Sequence, residues 1–319
     1  MSQGSALGGG GEFDRIRAIV AALGDDLGPI GDDTAPIPAR QGTLVVSTDA
    51  SVEGVHFRRA WLAPEEIGWR AAMSALSDLA AAAAVPAGLT VALSVPAGSD
   101  DALVVELMRG VGLAARTAGC RVLGGDLTGG DAIALAITVF GHAVRPMTRR
   151  GARPGDGVWV TGLQGGARAA LLAWLDGRTP PHAARVAFAK PRARIEAGQW
   201  LAAQGATAML DLSDGLGGDL QHLAAASGVG LEVDLARLPI HPSVHAEAAR
   251  RGEPAPVLAA TGGEDYELLV TLPPEFSAER GCEPACGSLL TRIGTVVAGS
   301  GVVMRLGGEP VAIESFRHR

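Results

Sequence analysis

Only one of the 27 basic residues is a lysine, Lys190. A Walker-type Gly-x-x-x-x-Gly-Lys-Ser/Thr loop is therefore absent, and any anion must be met by arginine, backbone N–H groups or bound metal. Cysteine is scarce as well. Cys120, Cys282 and Cys286 are too few for a disulfide scaffold, and their odd count suits a reducing compartment. Cys282-x-x-x-Cys286 lacks the second pair or nearby histidine that four zinc ligands require, so no zinc is expected. The N-terminal segment, 1–11, has neither a basic n-region nor an apolar h-region, so a cytoplasmic protein without a signal peptide is expected. The longest stretch free of formal charge, 79–99, is broken by Pro86, Gly88 and Pro96 and reads as a helix end, a turn and a strand rather than a membrane span.

What is present is a globular composition. A 47% hydrophobic fraction with 19% charged residues excludes a disordered chain, and the 45 glycines lack the period of collagen. A net charge of -7 and a pI of about 5.5 argue against nucleic acid or anionic membrane as the main partner. The 319 residues suffice for two domains, each with its own core. Short β-rich runs at 44–47, 89–95, 121–123 and 133–139 alternate with helical stretches at 64–84 and 101–118. Around Arg149-Arg150-Gly151-Ala152-Arg153-Pro154-Gly155-Asp156 the pattern lapses into basic, Gly/Pro-rich sequence. It then resumes with strands at 158–161, 208–212, 231–235, 267–272 and within 290–306, and helices at 167–175, 192–204, 218–226 and 243–251. The expected fold is α/β (α+β), with an N-terminal domain over 1–148 and a C-terminal α/β domain over 149–319.

The aspartates carry the chemical signal. Several directly follow apolar β-like runs and stand beside Gly, Ser or Thr: Gly31-Asp32-Asp33, Ser47-Thr48-Asp49, Gly124-Gly125-Asp126, Asp211-Leu212-Ser213-Asp214-Gly215 and Gly262-Gly263-Glu264-Asp265. Taken singly, such residues are ordinary turn and cap residues. Asp78 is different, because Leu76-Ser77-Asp78-Leu79 lies in an Ala-rich helix where a buried aspartate needs a partner. Strand ends are where α/β proteins gather ligand groups, and carboxylates gathered in one cleft repel unless protonated or neutralised by a hard cation such as Mg²⁺. Gly110-Val111-Gly112-Leu113-Ala114-Ala115 mimics a dinucleotide fingerprint but lies inside a helical stretch, so it is discounted.

In order and spacing these segments resemble the thiamine-phosphate kinases, of the superfamily that includes aminoimidazole ribonucleotide synthetase. Gly11-Glu12-Phe13, Gly54-Val55-His56-Phe57, Leu76-Ser77-Asp78-Leu79-Ala80-Ala81, Arg149 with Pro154-Gly155-Asp156, and Gly262-Gly263-Glu264-Asp265-Tyr266-Glu267-Leu268 complete the likeness. The sequence departs at Ala75, where Asn is common, and at Leu127-Thr128-Gly129-Gly130, where Thr-Thr-Arg-Gly is commoner; neither departure removes a carboxylate. The resemblance implies ATP-dependent phosphorylation of thiamine monophosphate to thiamine diphosphate by direct in-line transfer. It assigns Asp33, Ser47, Thr48, Asp49, Asp78, Asp126, Asp211 and Asp214 to several Mg²⁺ ions. Gly125, Asp126, Arg149 and Ser213 would contact ATP, and His56, Glu264 and Phe316 the thiamine substrate. Asp49, Asp126, Arg149 and Asp214 would carry the catalysis. A homodimer pairing through strands of the N-terminal domains is implied too, with the active site between domains. The alternatives are another ATP-using enzyme of that superfamily and a catalytically silent nucleotide- or metal-binding scaffold.

Overall fold

The computed structural model describes residues 11–28, 34–37, 39–277 and 289–313, with side chains from Asp14 onward. The chain forms two compact units, Met1–Leu79 with Val85–Val144 and Ala80–Ala84 with Arg145–Arg319. Among the described residues no helix is long and apolar enough to cross a membrane.

In the first unit α1 (Gly11–Leu23), β1 (Thr43–Val52), α2 (Pro64–Ala81), β2 (Val85–Pro96), α3 (Asp101–Thr117), β3 (Val122–Gly130) and β4 (Ala134–Ala143) follow in order, α2 running two residues past the unit's edge. The strands make a four-stranded sheet, β1-β4-β2-β3, antiparallel except for the β2–β3 pair that α3 connects. Pro64 and the acids Glu65 and Glu66 open α2, and Glu66 reaches back to the N–H of Ala63 at 3.0 Å. Asp100 caps α3 by accepting from Ala102 N–H at 3.0 Å.

One face of the sheet is core: Leu135, Ile137 and Val139 of β4 and Leu89, Val91 and Leu93 of β2 are buried. The other face leaves Leu44 50% and Val46 63% exposed. Under the buried face α2 and α3 cross backbone to backbone: a Cβ at Gly68 would meet Leu107 O at 1.9 Å, and one at Gly110 would meet Glu65 O at 2.0 Å. Gly110 therefore serves helix packing, in agreement with discounting the dinucleotide fingerprint.

The second unit holds β5 (Gly157–Thr161), α4 (Gly166–Leu175), α5 (His182–Ala189), α6 (Ile195–Ala203), β6 (Ala208–Asp211), α7 (Leu216–Ser227), β7 (Gly230–Asp234), α8 (Pro242–Arg251), α9 (Ala255–Ala260), β8 (Leu268–Leu272), β9 (Leu290–Val297), β10 (Gly301–Leu306) and β11 (Glu309–Pro310). Its seven-stranded sheet runs β11-β10-β7-β9-β5-β8-β6. Every residue of β5, β6 and β8 is buried, which explains why these strands read as continuous apolar runs instead of alternating ones.

Three expectations need correction. The strand expected at 89–95 begins at Val85 and takes in Pro86, tolerated because β3 pairs only from Leu89 onward and the register shifts between Pro86 and Gly88. Strands β1 and β3 run well past their apolar runs, so Asp49 and Asp126 lie inside strands rather than after them; ladder pairing outweighs the poor strand propensity of Asp and Gly. The sequence pattern does not mark the short helices α5 and α9, which fall below the roughly 11 residues over which a helical apolar period is read.

Candidate active site

On the first unit's sheet, strand pleat divides the candidates between two faces. Ser47 and Asp49 pair with Val139 and Ile137 and so share the buried face. There Ser47 Oγ donates to Asp78 Oδ2 of α2 at 2.5 Å. Burial, with repulsion from Asp78, pushes the Asp49 carboxyl up to about 6. The partner that a helical Asp78 needs is thus Ser47, with Asp49 beside it.

Thr48 pairs with Thr138 on the opposite, open face, where their hydroxyls lie 2.9 Å apart. Asp126 pairs with Ala92, which pairs with Ala136, which pairs with Ala50; this row has the parity of Thr48, not of Asp49. Asp126 is exposed on β3, at the edge of the sheet away from β1. Three strand spacings separate the two edges, about 14 Å. The sheet brings Ser47, Asp49 and Asp78 together and keeps Asp126 apart from them. Beside Asp126, Gly125 pairs with Val91, and a Cβ there would meet Val91 O at 2.0 Å.

His56 follows β1 in a turn closed by His56 N–H to Val52 O at 2.9 Å. The N–H of Val52 donates in turn to His56 Nδ1 at 3.1 Å, which leaves the proton of the neutral ring on Nε2. Cys120 is buried, its thiol pushed up to about 12, and so is chemically quiet.

In the second unit two motifs interlock through their backbones. Leu212 N–H donates to Glu267 O, Glu264 N–H to Ser213 O and Tyr266 N–H to Leu212 O, at 2.8, 2.8 and 2.9 Å. A Cβ on Gly263 would lie 2.4 Å from Ser213 O, which explains glycine there. Asp211 ends β6 and is buried, and Ser213 and Asp214 occupy the turn into α7.

The first turn of α7 supplies Asp219, to which no role was given on sequence grounds. It is 2% exposed, it accepts from the backbone N–H of Asp214, and its Oδ2 has no partner among the described residues. Burial first, then Asp211 and Asp214, pushes its carboxyl up to about 8, with Arg149 pulling the other way. No local signal marks it, because an aspartate in the first turn of a helix is ordinary, unlike Asp78 in the body of α2. Arg149 is fixed by Ser227 Oγ, which donates to Arg149 O at 2.8 Å and accepts from the N–H groups of Gly151 and Ala152 at 3.2 Å each.

Other acids of the motifs serve the scaffold. Asp156 accepts from Arg153 N–H at 2.9 Å and from Thr207 Oγ1 at 2.7 Å. Glu267 accepts from Thr161 Oγ1 at 2.6 Å and forms a two-point ion pair with Arg194, Arg194 Nε lying 2.7 Å from it. Glu264 and Tyr266 hold left-handed φ angles of 66° and 51°, which cost L-residues roughly 1–2 kcal/mol each. Asp33 and Phe316, like Cys282 and Cys286, lie outside the described residues; Ile313 packs against Gly217 of α7. Among the described residues no three His, Cys, Asp or Glu side chains are drawn into one metal-sized cluster.

The two units, each with its own sheet and helices, correspond in order to the two domains of the AIR synthase related proteins. The N-terminal domain model of that class, "AIR synthase related protein, N-terminal domain", matches residues 31–143, and its C-terminal counterpart matches 153–307. The thiamine-monophosphate kinase of Aquifex aeolicus (strain VF5) is 33% identical over 312 residues, spanning 97% of this chain and 98% of that one. The crystal structure of thiamine-monophosphate kinase from Stenotrophomonas maltophilia K279a superposes with a TM-score of 0.80 at 33% identity, covering 96% of this chain and 98% of that chain. AaThiL complexed with AMPPCP and TMP superposes at 0.79 with 32% identity, covering 97% of each chain. The chain belongs to the thiamine-monophosphate kinase family.

Proposed function

We propose that the protein phosphorylates thiamine monophosphate to thiamine diphosphate with ATP. The observation that carries this reading is the end-to-end similarity to the Aquifex aeolicus kinase, which spans 97% of this chain. Residues that the resemblance assigns to chemistry stand in the arrangement described above: Ser47 and Asp49 beside Asp78, and Ser213 beside Glu264.

The donor set suits a hard cation. Asp49, raised to about 6, and the buried Asp219, raised to about 8 with Oδ2 unpartnered among the described residues, are acids whose ionised forms are under-compensated. Several Mg²⁺ ions would be held at separate positions, by Ser47, Asp49 and Asp78 on one face of the first unit's sheet, by Thr48 and Asp126 on the other, and by Asp211 and Asp214 in the second unit, joined by Asp33. Bound there, they would neutralise phosphate charge. Gly125, Arg149 and Ser213 are the ATP contacts of this reading, and Arg149 adds fixed positive charge for the transferring group. His56, Glu264 and Phe316 are its thiamine contacts.

The acceptor is an ionised phosphate, so no general base has to deprotonate it, and positioning with charge neutralisation accomplishes in-line transfer. Neither Ser213 nor His56 is set up as a covalent carrier. No base is hydrogen-bonded to Ser213 among the described contacts, and the Nδ1 lone pair of His56 is engaged by Val52 N–H.

The protein acts as a homodimer in this reading. Leu44 and Val46 give the first unit's open sheet face an apolar surface that a second copy would cover. Pairing through that face also answers the separation of Thr48 from Asp126 on the two edge strands, since one copy's β3 can approach the other's β1. A monomer by light scattering at micromolar concentration refutes the dimer. Incubation with Mg·ATP and thiamine monophosphate tests the activity: thiamine diphosphate is expected, and its absence at saturating Mg²⁺ refutes the reading.

A further inference from the structure

The 262–267 strap carries an acid that the proposed chemistry does not use. Asp265 turns away from the Asp211–Asp214 turn and accepts from Gly165 N–H with both carboxylate oxygens, at 3.0 and 2.9 Å, and from Ala167 N–H. It therefore occupies the positive start of α4, where a ligand anion would otherwise be drawn. Densely surrounded despite some remaining solvent contact, its carboxyl is held well above the ordinary carboxylate value. On either side of it Glu264 and Tyr266 have left-handed backbones, and both donate their N–H groups the other way, to Ser213 O and Leu212 O. Beyond Tyr266 the strap is locked by Glu267 to Thr161 and Arg194.

Two left-handed L-residues separated by a single pinned one do not persist by local preference, because each relaxes to extended backbone once its neighbours allow. Glu267 secures only the far end. The side chain that stands between the two strained residues and fastens them to a rigid helix is Asp265.

We propose that Asp265 is a positioning residue for Glu264, its clamp on the start of α4 holding Glu264 in the left-handed backbone from which it meets the substrate. This rests on the reading of Glu264 as a thiamine monophosphate contact. Asn keeps one acceptor oxygen but turns its amide NH₂ toward the other of the Gly165 and Ala167 N–H groups, so it holds the clamp only in part.

Steady-state kinetics on Glu264→Ala, Asp265→Asn and the double variant test this. Each single change is expected to raise the KM for thiamine monophosphate by roughly tenfold while kcat and the KM for ATP stay within about twofold. The double variant should be no worse than Glu264→Ala alone, because both changes remove one shared contact. If Glu264→Ala raises that KM and Asp265→Asn does not, the positioning claim is overturned while the contact reading stands. Losses that multiply in the double variant, or a fall in kcat and melting temperature at constant KM, also overturn it in favour of a scaffold role. An unchanged KM in Glu264→Ala refutes the contact and the proposal with it. Should Asp265→Asn fail to fold, Asp265→Glu, which keeps the charge but lengthens the clamp, must give the same selective rise in KM.

Discussion

Replacing Asp219 with Asn should stabilise the metal-free protein, and by an amount that depends on pH. The carboxyl is buried in the first turn of α7, close enough to Asp211 and Asp214 to be repelled by both, and is pushed from 3.8 up to about 8. Because the folded value lies above the unfolded one, Asp219 favours the fold fully only below 3.8, and that advantage is lost as pH rises through about 8. At pH 7 the gap is about three pH units, which at about 1.4 kcal/mol each caps the loss near 4 kcal/mol. Part of the shift is repulsion from Asp211 and Asp214, which local relaxation and solvent screening weaken, so a loss of ~2 kcal/mol is expected. Asn matches the neutral acid in shape and has no proton to lose. Without Mg²⁺, the variant should melt roughly 4–8 °C above the parent at pH 7 and level with it near pH 4. Differential scanning calorimetry in EDTA at pH 4, 5.5, 7 and 8.5 reads both. A melting difference that is constant across this range, or of the opposite sign, refutes the account of Asp219 as a buried, uncompensated acid.

Asp49→Asn and Asp126→Asn should each lower turnover by orders of magnitude with the fold intact, Asp49→Asn also stabilising the apo protein by an amount that grows from 3.8 upward and is complete above about pH 6. Near-normal turnover in both at saturating Mg²⁺ sinks their assignment. Since Asp49 must lose its proton to hold metal, the Mg²⁺ requirement should climb as pH falls through about 6; a flat requirement between pH 5 and 8 contradicts this. With γ-labelled ATP alone no label should remain on the denatured protein, Ser213→Ala should weaken ATP use without abolishing turnover, and His56→Ala should mainly raise the thiamine monophosphate requirement. Stoichiometric label on either residue that chases into thiamine diphosphate overturns direct transfer. Gly110→Ala places a methyl 2.0 Å from Glu65 O and should cost about 1–3 kcal/mol by chemical denaturation; an unchanged midpoint shows that α2 and α3 are free to separate.

Composition and order determined the class. The α/β alternation, the separate runs of strand in the two halves and the carboxylate-bearing segments are all visible in the chain, because each depends on residues adjacent in sequence: capping acids at Pro64-Glu65-Glu66, apolar runs at β5 and β8, a helix-bound Asp78 that demanded a partner. Tertiary structure decided which carboxylates meet. Ser47 finds Asp78 only because α2 lies on one face of the sheet, and Asp126 faces the other way only because β2 and β3 pair in a register that sets Ala92 against it. One residue of slip would have reversed every side chain on β3, and nothing local specifies that register. In the second unit Asp265 and Glu267 stand two residues apart in one motif, yet one fastens α4 and the other Arg194 and Thr161, partners between 73 and 106 residues away. Burial had the same effect on Asp219: its charge becomes costly only when the turn holding Asp211 and Asp214 folds over it, and a sequence carries no record of where water is excluded.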